Sequence, residues 1–305
     1  MPDSPELVPR GPFLLKAAAE FGFGPNQGSP PVFDGVMRLA FPVDGGRGYA
    51  GAVLRQPVPD GPVSVELMLR DGAEPEIALA QVARVISLDH DGVAFLGVGE
   101  ADPVIGALQV VHPGQRPVLF HSPYEGAVWS IISARRPAAQ AARVRQELSI
   151  QLGETFELAG ETMHAFPQPR HLLELGDQFP GLDLEKLIRL GGVAQAALQG
   201  TLDASALHAI GPERAYEEIQ RLKGLGTFYA GLVVLRATGF ADALLPVPEP
   251  KLLRHVARFY GLDQLPGYEQ FAELAESWRP FRTWATVLIR LAGDRGTTLP
   301  GGLTH

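Results

Sequence analysis

Residues 222–231 read LKGLGTFYAG, and the reading of this stretch decides the fold. Two glycines, Gly224 and Gly226, flank one leucine between a charged amphipathic run and a long apolar one. Glycine supplies positive φ or lets a second backbone come close, and either use makes the stretch a turn. Upstream, IGPERAYEEIQRL carries apolar residues at Ile210, Tyr216, Ile219 and Leu222, close to helical spacing. Downstream, FYAGLVVLRATGF is almost wholly apolar and long enough for a buried helix. The pattern is therefore helix, tight hairpin, helix. Such a hairpin turns free backbone N–H groups outward at the start of its second helix, where phosphate binds well. The same pattern also suits an αα corner that only redirects the chain.

Around that hairpin lies an ordinary globular composition: 46% hydrophobic and 20% charged over 305 residues, enough for two or three domains with real cores. No run of eighteen or more apolar residues is free of charge, and the opening MPDSPELVPRG has no basic segment followed by an apolar one. Neither a membrane span nor a secretory signal is expected, and the chain reads as cytoplasmic. The absence of cysteine excludes disulfides, thiolate zinc sites, cysteine-ligated iron–sulfur clusters and cysteine nucleophiles. A net charge of −8 argues against indiscriminate polyelectrolyte binding but leaves room for a local basic face.

Residues 1–112 are the strand-rich part. VMRLAFPV, YAGAVLRQ and VSVELMLRD are short β-branched or alternating runs separated by the turn sequences DGGRG and PDGP, which predicts an antiparallel sheet. EPEIALAQVARVISL, apolar at Ile77, Leu79, Val82, Val85 and Ile86, predicts a helix over one face. From about residue 122 the pattern is helical and stays so. Ser122 as N-cap, Pro123 at the first helical position and Glu125 three residues after the cap open the first of these helices. AAQAARVRQELSIQLG, PRHLLEL, LEKLIRLGGVAQAALQG, ALHAI, EPKLLRHVARFYG and YEQFAELAESWRPFRTWATVLIRLAG follow, the last divided at Pro280. The fold class is thus an α+β antiparallel-sheet domain (1–112) followed by an all-α domain (113–293), with a frayed tail (294–305).

Five stretches, in order, resemble the helix-hairpin-helix DNA glycosylases, specifically their 3-methyladenine (alkyladenine) branch: DPVIGALQVVHPGQRPVLFHSPYEGAVWSII, PQPRHLLEL, VAQAALQGTLD, LKGLGTFYAGLVVLRATG and WRPFRTWATVLIRLAG. The resemblance covers most of residues 75–293. It implies a monofunctional base-excision enzyme on double-stranded DNA with a damaged base, acting as a monomer and requiring no cofactor. It also implies that Leu222, Lys223, Gly224, Leu225, Gly226 and Thr227 bind DNA. A monovalent cation, sodium or potassium, would be held by the carbonyls of Gln220, Leu222 and Leu225.

The chemistry needs a nucleotide flipped from the stack, an aromatic pocket and a carboxylate near the anomeric carbon. The family's Asp, in a Pro-x-x-Asp segment, corresponds to Glu249 within PVPEPKLLRHV; an ungapped pairing would instead put Pro248 there. Glutamate keeps the charge on one more methylene, and misplacement of about an ångström costs on the order of a hundredfold in rate. Glu249 also suits the N-terminal end of the following helix by its charge alone. Phe228 stands where lyase-competent members carry lysine, which removes Schiff-base strand cleavage by that route and matches an aromatic pocket position. Tyr124 and Trp284 are further pocket aromatics, or core packing. Arg135, in SARRP, occupies the position of the family's intercalating wedge, or is a solvated charge. Arg290 replaces a pocket Trp, so stacking on a cationic base is weakened. Two rival readings follow: a DNA-binding protein that no longer cuts, and a glycosylase whose pocket has moved to a neutral base.

Overall fold

The computed structural model describes residues 5–22, 24 and 32–299. Residues 1–4 of the opening segment and 300–305 of the tail lie outside them. Strands β1 (Glu6–Leu7), β2 (Met37–Pro42), β3 (Tyr49–Arg55) and β4 (Val63–Arg70) form an antiparallel sheet in the order β1-β4-β3-β2, with helix α1 (Leu15–Ala19) between β1 and β2. Six consecutive residues of β3 are buried rather than alternate ones, because both faces of the sheet are covered. Helix α2 (Pro75–Val85) covers one face with Ala78, Val82 and Val85, packed with α1 on Phe41, Leu54 and Val65.

The other face is covered by an element absent from the sequence expectation. Strands β5 (Thr155–Leu158) and β6 (Glu161–His164) form a hairpin inside the part expected to be wholly helical. Phe156 and Leu158 pack with Ala40, Tyr49 and Val53. The fit depends on Gly51, where a Cβ would stand 2.7 Å from the Phe156 ring.

The remaining helices are α3 (Gly92–Ala101), α4 (Pro103–Val111), α5 (Pro123–Ser133), α6 (Ala138–Leu152), α7 (Pro169–Leu173), α8 (Leu184–Leu198), α9 (Ala204–Ile210), α10 (Pro212–Gln220), α11 (Thr227–Ala237), α12 (Pro250–Tyr260), α13 (Tyr268–Ala275) and α14 (Arg282–Asp294). They build two cores. The first is centred on α5, α8 and α11, through Ile131, Leu190, Val193, Val233 and Ile219 of α10. The second joins α3 and α4 to α12, α13 and α14 through Phe95, Ile105, Leu108, Val256, Trp278 and Leu288. The boundary drawn at residue 112 therefore does not separate packing units, since α3 and α4 belong with the C-terminal helices. Asp102 fastens them: Oδ1 caps α4 by accepting the Val104 and Ile105 N–H groups, and Oδ2 accepts from Tyr260 (2.8 Å), Trp278 Nε1 (3.0 Å) and Ser277 (3.2 Å).

Helix α5 opens as its sequence suggests, with Ser122 Oγ accepting the Glu125 N–H at 3.2 Å. The Glu125 carboxylate does not return to the cap. It is 2% exposed and accepts from His121 Nδ1 at 2.8 Å and from Arg145 Nε at 2.9 Å, with Arg145 Nη2 also upon it. The described part of the tail is anchored rather than frayed. Thr297 Oγ1 lies 2.8 Å from His112 Nε2, its carbonyl accepts from Arg258, and Leu299 packs on the second core.

Candidate active site and nucleic-acid interface

The hairpin joins α10 to α11. Ile219, Leu225 and Ala230 are each at most 1% exposed and peg the turn into the first core. Gly224 has φ +100°, and a Cβ there would stand 2.8 Å from Arg189 Cδ on α8. The Leu225 N–H donates to the Leu222 carbonyl at 3.0 Å, and Gln220 Nε2 donates to Thr227 Oγ1 at 3.1 Å, bridging the two helices. Gly226 is the N-cap of α11 and brings no side chain to bond the first-turn N–H groups. The exposed Lys223 and Phe228 and the partly exposed Thr227 stand beside them.

The turn between α5 and α6 lies near by. Arg135 is exposed and has φ +55°, a left-handed conformation uncommon outside glycine. The flanking backbone is stapled to the α8 region: Lys186 Nζ donates to the Ile132 and Ala134 carbonyls, each at 3.0 Å, and Arg136 Nη2 donates to the Gly181 carbonyl at 2.5 Å. Helix α8 thus touches both the Arg135 turn, through Lys186, and the hairpin, through Arg189.

A cavity of about 700 Å³ has Trp129, Ser133, Arg136, Phe228, Tyr229 and Leu232 on one side, and Glu249, Lys251, Val287, Arg290 and Asp294 on the other. Phe21 and Arg236 complete it, with the Arg236 guanidinium 5.0 Å from the Phe21 ring centroid. Glu249 is the N-cap residue of α12, where Pro250 at the first helical position fixes the entry of the chain. Its side chain makes no cap bond and reaches instead to α14. There Arg290 grips both carboxylate oxygens, Nε to Oε2 at 2.8 Å and Nη2 to Oε1 at 3.2 Å. Arg290 Nη1 also donates to Asp294 Oδ2, while Asp294 Oδ1 takes Lys251 Nζ at 2.8 Å and His255 Nε2 at 3.1 Å.

Charge is concentrated here. Among the described residues, five Lys or Arg and three Asp or Glu line the cavity, a positive excess inside a protein of net charge −8. The consequences reach neighbouring groups. Burial, helped by the charge of Arg290, pushes Arg236 down to about 9. Burial and then Arg290 also lower Lys251. Burial, followed by Arg290, Arg258, Lys251 and Arg254, pushes His255 down to about 4, so it is neutral at pH 7 and donates Nε2–H to Asp294.

Glu249, Phe228 and Arg290 therefore line one cavity, whereas Tyr124 and Trp284 lie elsewhere. Tyr124 is 4% exposed in the first core, donating to the Pro167 carbonyl at 3.2 Å. Trp284 is 2% exposed in the second, within 5.2 Å of the Phe95 and Phe281 ring centroids. The reason is helical phase. Trp284 precedes Arg290 by six residues and Tyr124 precedes the cavity-lining Trp129 by five, which turns each roughly 120–140° off the cavity face. Trp129, Tyr229, Phe21 and Arg236 were not singled out in the sequence. Tyr229 follows the predicted Phe228 directly, and burial pushes its phenol up, partly offset by Ser133 on α5. Among the described residues no cluster of His, Asp or Glu forms a metal centre.

No protein-family model matches the chain. Its sequence is similar to the DNA-3-methyladenine glycosylase of Bacillus subtilis, 20% identical over 205 residues, which are 66% of this chain and 67% of that protein. It is also similar to the probable bifunctional transcriptional activator/DNA repair enzyme AlkA of Mycobacterium tuberculosis, 26% identical over 262 residues. That match takes in 85% of this chain, which spans about half the length (50%) of the mycobacterial protein. Among solved structures, a 3-methyladenine DNA glycosylase from Archaeoglobus fulgidus superposes with a TM-score of 0.77 at 21% identity, covering 96% of this chain and 99% of that one. The 8-oxoguanine glycosylase/lyase of Clostridium acetobutylicum, bound to double-stranded DNA, superposes with a TM-score of 0.66 at 16% identity, covering 97% of both chains. The sheet, the helices around the hairpin and their order are those of the glycosylase fold.

Proposed function

We propose, from the premise that the chain belongs to the helix-hairpin-helix DNA glycosylase superfamily on its 3-methyladenine branch, that it hydrolyses the N-glycosidic bond of a flipped, alkylated or otherwise modified purine in double-stranded DNA. The observation that carries this is the placing of Glu249 in one cavity with Phe228, Tyr229 and Trp129, beside the open N-terminus of α11. The first-turn N–H groups of α11 and Lys223 take a backbone phosphate, favoured by the helix dipole. A monovalent cation on the carbonyls of Gln220, Leu222 and Leu225 belongs to the same proposal, and supplies charge toward that phosphate. Arg135 enters the duplex where the base has left it, and its positive φ projects it from the turn.

In the cavity the aromatic rings hold the base while the bond between C1′ and the base nitrogen breaks, its electron pair leaving with the base. The Glu249 carboxylate stabilises the positive charge that develops on the sugar, and water adds its oxygen to C1′ and gives up a proton, to the departed base where it left as an anion and to solvent where a cationic base left neutral. Phe228 offers no amine, so the product is an abasic site in an intact strand. Action as a monomer and a cytoplasmic location belong to the same proposal.

Single-turnover base release from alkylated and deaminated duplexes tests this reading. Wild type is expected to release modified purine, Glu249→Gln to abolish release and Glu249→Asp to retain it. A second reading, binding without cutting, is favoured by one observation: Arg290 already engages both oxygens of Glu249. Tight binding of duplex with no release of any modified purine would establish it.

A further inference from the structure

Arg290 sits in the reaction cavity beside the carboxylate and has more donors than partners there. A guanidinium carries five N–H groups. Nε and one Nη2 hydrogen serve Glu249 and one Nη1 hydrogen serves Asp294, leaving one N–H on each terminal nitrogen. These two form a fork on a side chain 20% exposed to the cavity. A fork of that kind matches the oxygen and adjacent ring nitrogen of a 6-oxopurine edge.

The acids that would welcome a cation are already engaged. Both Glu249 oxygens face Arg290, Asp294 is shared among Arg290, Lys251 and His255, and Glu20 is paired with Lys16. The cavity wall keeps its positive excess through Arg136, Arg236 and Arg295. An N-alkylated purine nucleotide, which carries a formal positive charge, would have to displace Arg290 from Glu249 or stand against that excess. A neutral base with an exocyclic oxygen meets donors instead.

Resting on the glycosylase reading of the cavity, we propose that Arg290 is a specificity-determining residue that selects a neutral 6-oxopurine, of which hypoxanthine is the simplest, and rejects cationic N-alkylated purines. The selection has two separable parts. The positive charge rejects the cation, and the planar fork recognises the oxopurine edge.

The test is equilibrium binding to duplexes whose target nucleotide carries a 2′-fluoro group, which keeps the glycosidic bond intact and makes the readout independent of catalysis. The probes are 2′-fluoro duplexes containing hypoxanthine, 7-methylguanine or unmodified guanine, titrated with wild type, Arg290→Lys and Arg290→Met. Wild type is expected to bind hypoxanthine over 7-methylguanine on the order of tenfold or more tightly, the discrimination that one good bidentate arginine contact supplies. Arg290→Lys keeps the charge without the fork, so it still rejects 7-methylguanine but binds both neutral 6-oxopurine probes, hypoxanthine and guanine, less tightly than wild type does. Arg290→Met uncovers the Glu249 carboxylate and raises 7-methylguanine relative to hypoxanthine. Wild type binding 7-methylguanine as well as or better than hypoxanthine overturns the proposal. So does an equal loss for both probes in Arg290→Met, which would make Arg290 a mere support for Glu249. Base release from cleavable duplexes by the same wild-type protein decides the glycosylase reading separately.

Discussion

Glu125→Gln removes a buried charge without changing the shape of the side chain, and its cost can be worked from the structure. Burial opposes the Glu125 charge, yet Arg145 and His121 outweigh it and hold the carboxyl at about 2 instead of 4.5. At about 1.4 kcal/mol per tenfold change in proton affinity, that contributes about 3 kcal/mol to folding at neutral pH. Removing one partner of a buried ion pair costs about 3–5 kcal/mol by the independent route of leaving the Arg145 charge uncompensated. The sign follows from which state protonates first. The unfolded carboxyl takes its proton near pH 4.5 while the folded one resists until about 2, so the contribution is complete above 4.5 and fades as pH falls toward 2. Urea unfolding followed by the fluorescence of Trp129, one helical turn from Glu125 on α5, should show wild type more stable than Glu125→Gln by about 3 kcal/mol at pH 7. The difference should shrink steadily below pH 4.5. A gap that stays constant down to pH 3 would refute the assignment of that stability to the Glu125 charge.

Gly224→Ala places a side chain at φ +100° against Arg189. The flexible Arg189 can shift, but the backbone cannot adopt that φ without a cost of about 1–2 kcal/mol, so anisotropy titrations should show weaker duplex binding that Arg189→Ala does not restore. Arg135→Gly suits the positive φ of its turn and removes the side chain. Its melting temperature should stay within about 4 °C of wild type, while the fluorescence rise of a 2-aminopurine placed opposite the flipped base is lost; an unchanged rise would remove Arg135 from the interface. Asp102→Asn leaves Tyr260, Trp278 and Ser277 around a weaker acceptor and should cost about 2–4 kcal/mol in urea unfolding, with Tyr260→Phe costing less than half of that.

The hairpin was legible because its information is local: two glycines, an amphipathic helix before them and an apolar one after. The sheet was legible for the same reason, each strand being bounded by its own turn sequence. The β5–β6 hairpin carried a local signal as well, with Phe156 and Leu158 alternating with Thr155 and Glu157 and a turn at Ala159 and Gly160, both at positive φ. It was obscured by the long helical sequences on either side. The joining of α3 and α4 to the C-terminal helices was not legible, because it depends on Asp102 meeting Tyr260 and Trp278 across more than 150 residues. The cavity was half legible. Residue type pointed to Glu249, Phe228 and Arg290, but helical phase decided between Trp129 and Tyr124, and only packing brought Phe21 and Arg236 to the same wall.

If Glu249 is the reacting carboxylate, as proposed, a glutamate in place of the aspartate that the resemblance implies looks costly while the carboxylate is considered alone. The longer side chain should let the charge wander by about an ångström, enough to lose on the order of a hundredfold in rate. Arg290 changes that expectation. Two hydrogen bonds from a planar guanidinium fix both position and orientation of the carboxylate, and Asp294 in turn holds the guanidinium from the next turn of α14. With Pro250 restricting the main chain on the other side, little freedom remains for the extra methylene to express. Glu249 and Arg290 therefore act as one unit, in which the arginine restores placement at the expense of carboxylate charge. Shortening the acid alone should consequently not improve the site. Glu249→Asp draws the carboxylate back from a guanidinium that α14 holds in place, so any gain in rate should appear only in combination with Arg290→Met, where the shorter acid is released from the fork.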